Sequence, residues 1–273
     1  MFENKEFAMT DADYRYISQT VYNECGIVLS DQKKDMVYSR IARRIRALKL
    51  SSFAQYIQHL ETHKEHEFGD FINAITTNLT SFFREPHHFD FLETRILPEM
   101  KRNHSADRRV RVWSAGCSTG MEPYSIAMTL HNKFPSNWDF KILATDLDTN
   151  VLETAKNGIY QADSVTGIDE EKLFKYFKRD EAGERYKVKD ALKRSITFKQ
   201  LNLLNPWPIR GPFDVIFCRN VVIYFDLETK NKLFQRYAEL LRPNGYLILG
   251  HSETMSREIT CFKPLGHTVY QKA

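Results

Sequence analysis

The stretch of residues 110–125 constrains the fold of this chain more than any other part of the sequence. It begins with a β-type apolar run that includes Val110 and Val112, and it then breaks into small residues with two glycines, Gly116 and Gly120. A helical pattern of apolar residues follows at once, so the stretch predicts a strand, a turn and a helix. This succession opens a nucleotide-binding α/β unit, in which glycines allow the backbone to approach a ligand closely.

The spacing of the two glycines indicates which ligand the turn would accept. A dinucleotide-binding turn has the pattern G-x-G-x-x-G and places a pyrophosphate at the helix N-terminus. This chain instead has Gly116-x-x-x-Gly120, followed by Glu122 in the first helical turn. A carboxylate at that place repels pyrophosphate and suits a ligand that carries an ammonium or sulfonium group.

A second acidic residue indicates the same class of ligand. Asp146 follows an apolar run at 140–144. It lies at roughly the 20-residue distance from the glycine turn at which a strand-end acid typically holds ribose hydroxyls. A ribose with a cationic amino-acid tail and no phosphate describes S-adenosylmethionine, which we predict as the cofactor. The alternative is a structural strand-turn-helix unit that binds no ligand.

The remainder of the chain predicts two domains. Helical patterns occupy most of residues 10–100, whereas strands and helices alternate from residue 110 onward, which predicts a parallel sheet with helices on both faces. We predict an α/β fold with a Rossmann-like S-adenosylmethionine-dependent methyltransferase sheet and an antiparallel C-terminal strand. The predicted division is an all-helical N-terminal docking domain at 1–86, a connecting helix and linker at 87–109, and the cofactor-binding domain at 110–273.

Residues 158–200 do not fit the alternation of strands and helices. Glycines interrupt this part of the chain, and the short apolar runs at 185–189 and 195–200 have the pattern of two strands. We therefore predict an inserted antiparallel β-subdomain at about 158–200, in which these two strands pair as a hairpin.

Positive charge is concentrated in the predicted helix at 31–48. Residues 33–49 contain seven basic residues and one acidic residue, a local charge of +6, whereas the whole chain carries +4. Such a concentration favours a docking surface for an acidic partner, and a solvated surface helix is the alternative. The residues that we single out for docking are Arg40, Arg43, Arg44 and Arg46.

Several other classes of protein are disfavoured. No apolar run approaches the ~20 residues of a membrane span, the first residues do not resemble a signal peptide, and the four cysteines lack C-x-x-C spacing. We expect a cytoplasmic monomer without membrane insertion. His59, His63 and His66 have spacings that a metal could use, but no carboxylate or cysteine completes a ligand set, so we expect no metal site.

Four motifs resemble the bacterial chemotaxis receptor methyltransferases, the CheR-type family, and the resemblance spans nearly the whole chain. They read Thr77-Asn78-Leu79-Thr80-Ser81-Phe82-Phe83-Arg84-Glu85, Ser118-Thr119-Gly120-Met121-Glu122-Pro123-Tyr124-Ser125, Phe217-Cys218-Arg219-Asn220-Val221-Val222-Ile223-Tyr224-Phe225 and Gly250-His251-Ser252-Glu253. One departure is Met121, where the family usually has a second glutamate. Glu122 keeps the position that would contact the cofactor.

The resemblance implies methyl transfer from S-adenosylmethionine to glutamate side chains on the cytoplasmic helices of chemoreceptors, with S-adenosylhomocysteine as the product. The positions that it implies for cofactor binding are Asn78, Thr80, Arg84, Glu122, Asp146, Asn202, Leu203, Arg219 and Asn220. We assign the catalytic, orienting role to Arg84 and Tyr224. The acceptor carboxylate is ionised at neutral pH, so no general base is required. By analogy with the family, the β-subdomain would pair with a receptor C-terminal peptide.

Two other functions compete with this interpretation. A nucleic-acid methyltransferase could use the basic helix to bind phosphate, but the position of its usual N/D-P-P-Y/F motif reads Arg219-Asn220-Val221-Val222. A non-enzymatic adaptor that binds receptors is disfavoured because the predicted site residues are retained. We expect no nucleic-acid partner.

Overall fold

The computed structural model describes residues 6–273, and its N-terminal part is helical. The first residues, on which the signal-peptide prediction depends, lie largely outside the described range. The helices of this part are α1 (Asp11–Cys25), α2 (Lys34–Ala47, after a 3₁₀ turn at Asp31–Lys33), α3 (Phe53–Thr62) and α4 (Lys64–Ile75). Thr10 and Asp13 form a capping box at the start of α1, and Gly26 ends that helix in a left-handed conformation. Buried apolar residues between Tyr14 and Ile75 form one hydrophobic cluster.

The helical pattern of the sequence predicts the fourth helix at about 67–79, whereas α4 begins earlier, at Lys64. It ends at Ile75, and residues 76–80 form an extended connecting segment. The guanidinium of Arg40 donates hydrogen bonds to the carbonyl oxygens of Ala74, Ile75 and Thr76, which the helix end leaves without helical partners. A tertiary contact therefore stabilises the end of α4, and the connecting segment that follows it lines a cleft.

A continuous helical stretch joins the two parts of the chain. It consists of α5 (Pro86–Phe91), a wider π-helical turn (Leu92–Ile96) and α6 (Leu97–Asn103). Pro98 has no backbone N–H to donate, which accounts for an irregular turn just before it. The buried apolar residues of this stretch, beginning with Phe89, belong to the same hydrophobic cluster as the sheet, as does Phe82 just before the stretch.

The second part is a seven-stranded sheet with the order β6-β2-β1-β7-β8-β10-β9. Its strands are β1 (Arg109–Ala115), β2 (Asp139–Asp146), β6 (Ile196–Gln200), β7 (Phe213–Cys218), β8 (Leu241–Leu249), β9 (Phe262–Gly266) and β10 (Val269–Lys272). The first five strands in this order are parallel, whereas β10 runs antiparallel to β8 and β9 antiparallel to β10. Helices α7 (Met121–Lys133), α8 (Thr149–Asn157) and α11 (Leu227–Leu240) connect the parallel strands. The predicted methyltransferase-type sheet is confirmed.

A small antiparallel sheet is inserted between α8 and β6, but its strand pairing differs from the prediction. It contains β3 (Ile159–Gln161), β4 (Phe177–Arg179) and β5 (Arg185–Val188) in the order β3-β5-β4. Helices α9 (Glu170–Tyr176) and α10 (Asp190–Lys193) flank β4 and β5.

The predicted hairpin between 185–189 and 195–200 was wrong. Strand β6 instead extends the large sheet in parallel with β2, with Ile142 opposite Ile196 and Asp146 opposite Gln200. Ile196 and Phe198 pack against the sheet cluster there. The apolar run had been correctly read as a strand, but its partner depended on the tertiary fold. The inserted unit consequently ends before residue 196. No helix among the described residues is both long and apolar enough to cross a bilayer.

Candidate functional site

A cleft opens between the helical domain and the carboxyl ends of β1, β2 and β7. Its volume is about 1210 Å³, including the part that is open to solvent. Strands β2 and β7 lie on opposite sides of β1, and ligands of open α/β sheets bind outside the strand ends at such a point. The ten residues predicted for cofactor binding and catalysis all line this cleft: Asn78, Thr80, Arg84, Glu122, Asp146, Asn202, Leu203, Arg219, Asn220 and Tyr224.

The glycines of the β1–α7 turn are required for packing within the protein. Gly116 has a φ of 88°, and a Cβ there would lie 2.3 Å from a methyl carbon of Val221. Gly120 has a φ of 89°, and its Cβ would lie 2.7 Å from the Cβ of Ala155. The sequence predicts that both glycines allow a ligand to approach closely. In the structure, the atoms that a Cβ at either position would meet belong to the protein itself.

Glu122 is buried in the first turn of α7. Its Oε1 accepts a hydrogen bond from the Ser114 hydroxyl at 2.7 Å, and its Oε2 accepts one from the Arg219 guanidinium at 3.1 Å. Burial raises the pKa of Glu122, and the charge of Arg219 and the Ser114 hydrogen bond limit that rise. A buried carboxylate that lines a cleft favours a cationic ligand group, because an added positive charge compensates its desolvation.

Asp146 lies at the end of β2, and backbone groups fix both of its carboxylate oxygens. The N–H of Ser118 donates to Oδ2 at 2.7 Å, and the N–H of Asp148 donates to Oδ1 at 3.0 Å. Burial raises the pKa of Asp146 to about 6, even though these two N–H groups lower it. The carboxylate is therefore held in one orientation, with its remaining lone pairs available to hydroxyl donors.

Asp148, which no sequence motif indicated, holds the connecting segment at 76–80 against Asp146. Its Oδ2 accepts hydrogen bonds from the Thr76 hydroxyl and the Asn78 amide, both at 2.7 Å. Its Oδ1 caps α8, and its own N–H donates to Asp146. One buried residue thus joins the helical domain and the start of α8 through its side chain, and the acid at the end of β2 through its backbone N–H.

Arg219 lies at the centre of a buried network of charges. Its guanidinium contacts the carboxylates of Glu122 and Glu85 at 3.1 and 3.2 Å, and it donates to the backbone carbonyl of Arg84. Burial raises the pKa of Glu85, but the His251 hydrogen bond and the charge of Arg219 outweigh this effect and lower it to about 2. Within residues 6–273 the Nε of Arg219 has no hydrogen-bond partner, so the guanidinium retains a donor.

Glu253 orders the loop that carries Arg219, Asn220 and Tyr224. Its buried carboxylate accepts backbone hydrogen bonds from Gly250 at 2.6 Å, from Asn220 at 2.8 Å and from Ile223 at 3.1 Å. Asn220 has a positive φ of 58°, so this loop departs from regular structure. The sequence motif at 250–253 contains Glu253, but its role depends on loop amides some thirty residues earlier in the chain.

The two predicted catalytic residues both line the cleft. Arg84 donates from its Nη1 to the carbonyl of Leu79 at 2.8 Å. Tyr224 ends a short 3₁₀ turn, Val222–Tyr224, and its carbonyl accepts the N–H of Val28 at 2.8 Å. Backbone contacts with the helical domain and the connecting segment thus hold both residues at the cleft.

Asn202 and Leu203 form part of the cleft wall. The Asn202 amide nitrogen donates to the carbonyl of Glu24 at 2.7 Å, and its oxygen accepts the N–H of Leu204 at 2.9 Å. The carbonyl of Leu203 accepts a hydrogen bond from Arg236 at 2.6 Å. The side chain of Asn202 therefore connects α1 to the sheet domain.

The arginines of α2 divide into two groups. Arg40 is hydrogen-bonded to the end of α4, and Arg44 contacts the carboxylates of Glu67 and Asp70 at 2.6 and 2.8 Å. Glu67 is buried, so these contacts stabilise the helical domain. Of the other two, Arg43 is exposed, and Arg46 contacts Glu6 at 2.9 Å. The acids that pair with Arg44 lie on α4, outside the basic segment 33–49, which itself contains one acidic residue.

One group of side chains among the described residues has donor atoms close enough to hold a metal ion: Glu85, His87 and His88, with donors within 4.8 Å of one another. The sequence analysis had considered only the histidines of α3 and its flanks. The Glu85 carboxylate already accepts hydrogen bonds from His251 and lies beside the Arg219 guanidinium. A neighbouring positive charge disfavours a cation there.

Comparisons with known proteins give consistent results over the two parts of the chain. Residues 12–76 match the family model described as the CheR methyltransferase all-alpha domain, and residues 78–271 match the CheR methyltransferase SAM-binding domain. A chemotaxis protein methyltransferase of Escherichia coli K12 is 44% identical over 97% of this chain and 92% of its own length. Chemotaxis protein methyltransferase 2 of Pseudomonas aeruginosa PAO1 is 41% identical over 100% of this chain and 97% of its own length.

Similarity to solved structures is weaker. The structure of PKMT2 from Rickettsia typhi in complex with AdoHcy aligns with a TM-score of 0.34 and 19% identity, over 52% of this chain and 21% of that one.

Proposed function

The chain belongs to the CheR family of S-adenosylmethionine-dependent methyltransferases, and on that premise we propose that it methylates glutamate side chains of chemoreceptors. The product of this reaction is a glutamyl methyl ester. The observation that carries the proposal is the cleft itself, which combines a buried Glu122, an oriented Asp146 and the Arg219 loop at the ends of adjacent strands. The relatives described above, which are named chemotaxis methyltransferases, support the same substrate class.

The residues of the cleft suit S-adenosylmethionine. Glu122 would bind the amino group, because the charge of Arg219 and the hydrogen bond from Ser114 compensate the burial of its carboxylate only in part. Asp146 would accept the ribose hydroxyls. Asn78, Thr80 and Arg84 would contact the cofactor from the connecting segment and the residues that follow it. Asn202 and Leu203, together with Arg219 and Asn220, would flank its adenine and methionine ends.

The bound cofactor supplies a methyl group made electrophilic by a sulfonium, and the protein must orient the acceptor toward it. Arg84 and Tyr224 lie at the cleft and are assigned this orienting role. An ionised carboxylate needs no base, and none of the described residues that line the cleft is a histidine. Correct placement of reacting groups can contribute roughly 7–11 kcal/mol. A cleft that excludes water would strengthen the electrostatic interactions within it.

Receptor docking is assigned to α2 and to the small sheet. The exposed Arg43 remains available for acidic receptor helices, and Arg46, whose ion pair with Glu6 is half-exposed, would exchange that partner for a receptor carboxylate. Arg40 and Arg44 would act by supporting that surface. The exposed edges of β3 and β4 could accept a receptor C-terminal peptide as an added strand. We retain the monomer and the domain division at residues 86 and 109 as predictions. The relatives lend no support to a nucleic-acid substrate.

The test of this function is a labelling experiment. The protein is incubated with tritiated S-adenosylmethionine and receptor-containing membranes, and the receptor is then treated with alkali. A glutamyl ester releases volatile labelled methanol, whereas an N-methyl product retains its label. Receptor label that withstands alkali would refute the assignment to glutamate. Cofactor binding without any label on the receptor would favour the adaptor alternative.

A further inference from the structure

Exposed apolar side chains gather around the mouth of the cleft. Among residues 6–273, seven large hydrophobic residues are exposed, and two of them, Ile159 and Phe174, belong to the inserted unit. Of the other five, Val28 and Leu79 line the cleft, and Tyr22, Ile223 and Leu227 each lie within three residues of one that does. Single exposed apolar residues are ordinary, but several around one opening indicate a binding surface.

Three of these residues are hydrogen-bonded to, or adjacent in the chain to, the predicted catalytic residues Arg84 and Tyr224. The side chains of Val28, Leu79 and Ile223 are 47%, 80% and 45% exposed. Val28 is hydrogen-bonded through its backbone to Tyr224, which directly follows Ile223, and the carbonyl of Leu79 accepts the guanidinium of Arg84. We call Val28, Leu79 and Ile223 the cleft rim. Val28 and Leu79 line the same cleft as Arg84 and Tyr224, and Ile223 directly precedes Tyr224.

Charge near the cleft rim narrows the range of partners. Lys33 is exposed and lines the same cleft, and Arg43 is exposed on α2. A partner that matches this surface has apolar side chains for the rim and carboxylates for the basic residues. An amphipathic acidic helix has both, because residues three or four positions apart lie on the same helical face.

We propose that the cleft rim selects which glutamate is methylated, by binding apolar side chains one helical turn away from the acceptor. The inference rests on the proposed function and adds the chemistry of substrate selection to it. The acceptor carboxylate enters the cleft while its apolar neighbours pack against Val28, Leu79 and Ile223. A glutamate whose neighbours one turn away are charged would leave the rim unpaired and would be a poor substrate.

The test measures the kinetics of methyl transfer to a receptor cytoplasmic fragment that ends before its C-terminal tail, with alkali-labile tritium as the readout. The variants are Leu79→Ser, Ile223→Ser and the double variant. Because partial burial of one such side chain contributes on the order of 1 kcal/mol, the KM for receptor should rise about 5-fold in each single variant. The two effects should combine to roughly 25-fold in the double variant. Values of kcat and the Kd for S-adenosylmethionine should stay unchanged.

Phe174→Ser is the matched control, because this side chain is 86% exposed in the inserted unit, away from the cleft. It should leave the KM for the tail-less fragment unchanged. An unchanged KM in the double variant would overturn the rim proposal, as would a rise in KM with an equal loss of cofactor affinity. If wild-type protein places no alkali-labile label on the fragment, the proposed function itself fails. If alkali-labile label appears on the fragment and the KM of the double variant equals that of the wild type, only the rim proposal fails.

Discussion

Substitution of Glu253 by glutamine tests whether a buried carboxylate outside the cleft positions the cofactor-binding loop. The side chains have nearly the same shape, so the change removes the charge and replaces one oxygen with an amide NH₂. Glu253 accepts three backbone N–H groups in the structure, from Gly250, Asn220 and Ile223. Whichever way the amide is turned, its NH₂ must face at least one N–H group.

The magnitude follows from these three contacts. Hydrogen bonds to a charged group contribute about 1.5–3 kcal/mol each and neutral ones about 0.5–1.5 kcal/mol, and a buried donor without a partner costs about 1–3 kcal/mol. Burial raises the pKa of Glu253, so relief of its desolvation offsets part of the loss. We expect a net decrease of about 2 kcal/mol in the free energy of unfolding. The affinity for S-adenosylmethionine should fall by roughly 10- to 30-fold, because 1.4 kcal/mol corresponds to a factor of ten.

Calorimetry measures both quantities: titration with cofactor gives the Kd, and thermal unfolding gives the change in stability. The control is Glu258→Gln, the same chemical change at an exposed position five residues away, which should alter neither. If Glu253→Gln binds cofactor and unfolds like the wild type, then the carboxylate does not hold the loop in place. Loss of stability with unchanged cofactor affinity would show that the loop keeps its conformation without it.

Three further predictions concern the cleft and its surroundings. Affinity for S-adenosylmethionine should be constant above pH 6 and fall by up to roughly tenfold per pH unit below it. The reason is that Asp146 has a pKa of about 6, and its protonated form is the poorer acceptor of hydrogen bonds from the ribose hydroxyls. Asp146→Asn should bind weakly at every pH, and titrations that show the wild-type pH dependence in this variant would contradict the assignment. Gly116→Ala should lower the free energy of unfolding by about 2–5 kcal/mol, from positive-φ strain and overpacking. Because the added Cβ meets Val221, a second substitution, Val221→Ala, in the same chain should restore part of the lost stability in denaturant melts. Arg43→Glu should raise the KM for receptor several-fold at low salt and less at high salt without lowering the melting temperature, and an equal effect at both salt concentrations would argue against an electrostatic contribution.

Local patterns in the sequence were sufficient for the main elements of the fold and for choosing residues that the structure brings to one cleft. The β-type run, glycine turn and helix at 110–125 form β1 and α7, as expected. Asp146 ends β2 beside that turn. Such features depend on residues close together in the chain, and parallel strands bring their carboxyl ends to one edge of the sheet. A sequence pattern can therefore place acids at that edge before any tertiary contact is known.

Contacts between distant residues were decided only by the tertiary structure. Strand β6 pairs with β2 rather than with β5 because the large sheet offers its apolar residues more burial. Arg40 and Arg44 face the end of α4 and its acids, although the helical pattern of α2 alone placed them with Arg43 toward solvent. Local spacing sets which face of a helix a residue occupies. The element that covers that face is set by the packing of the whole chain. The same holds for the hydrogen bonds that Glu253 accepts from backbone amides and that Asp148 accepts from the Thr76 hydroxyl.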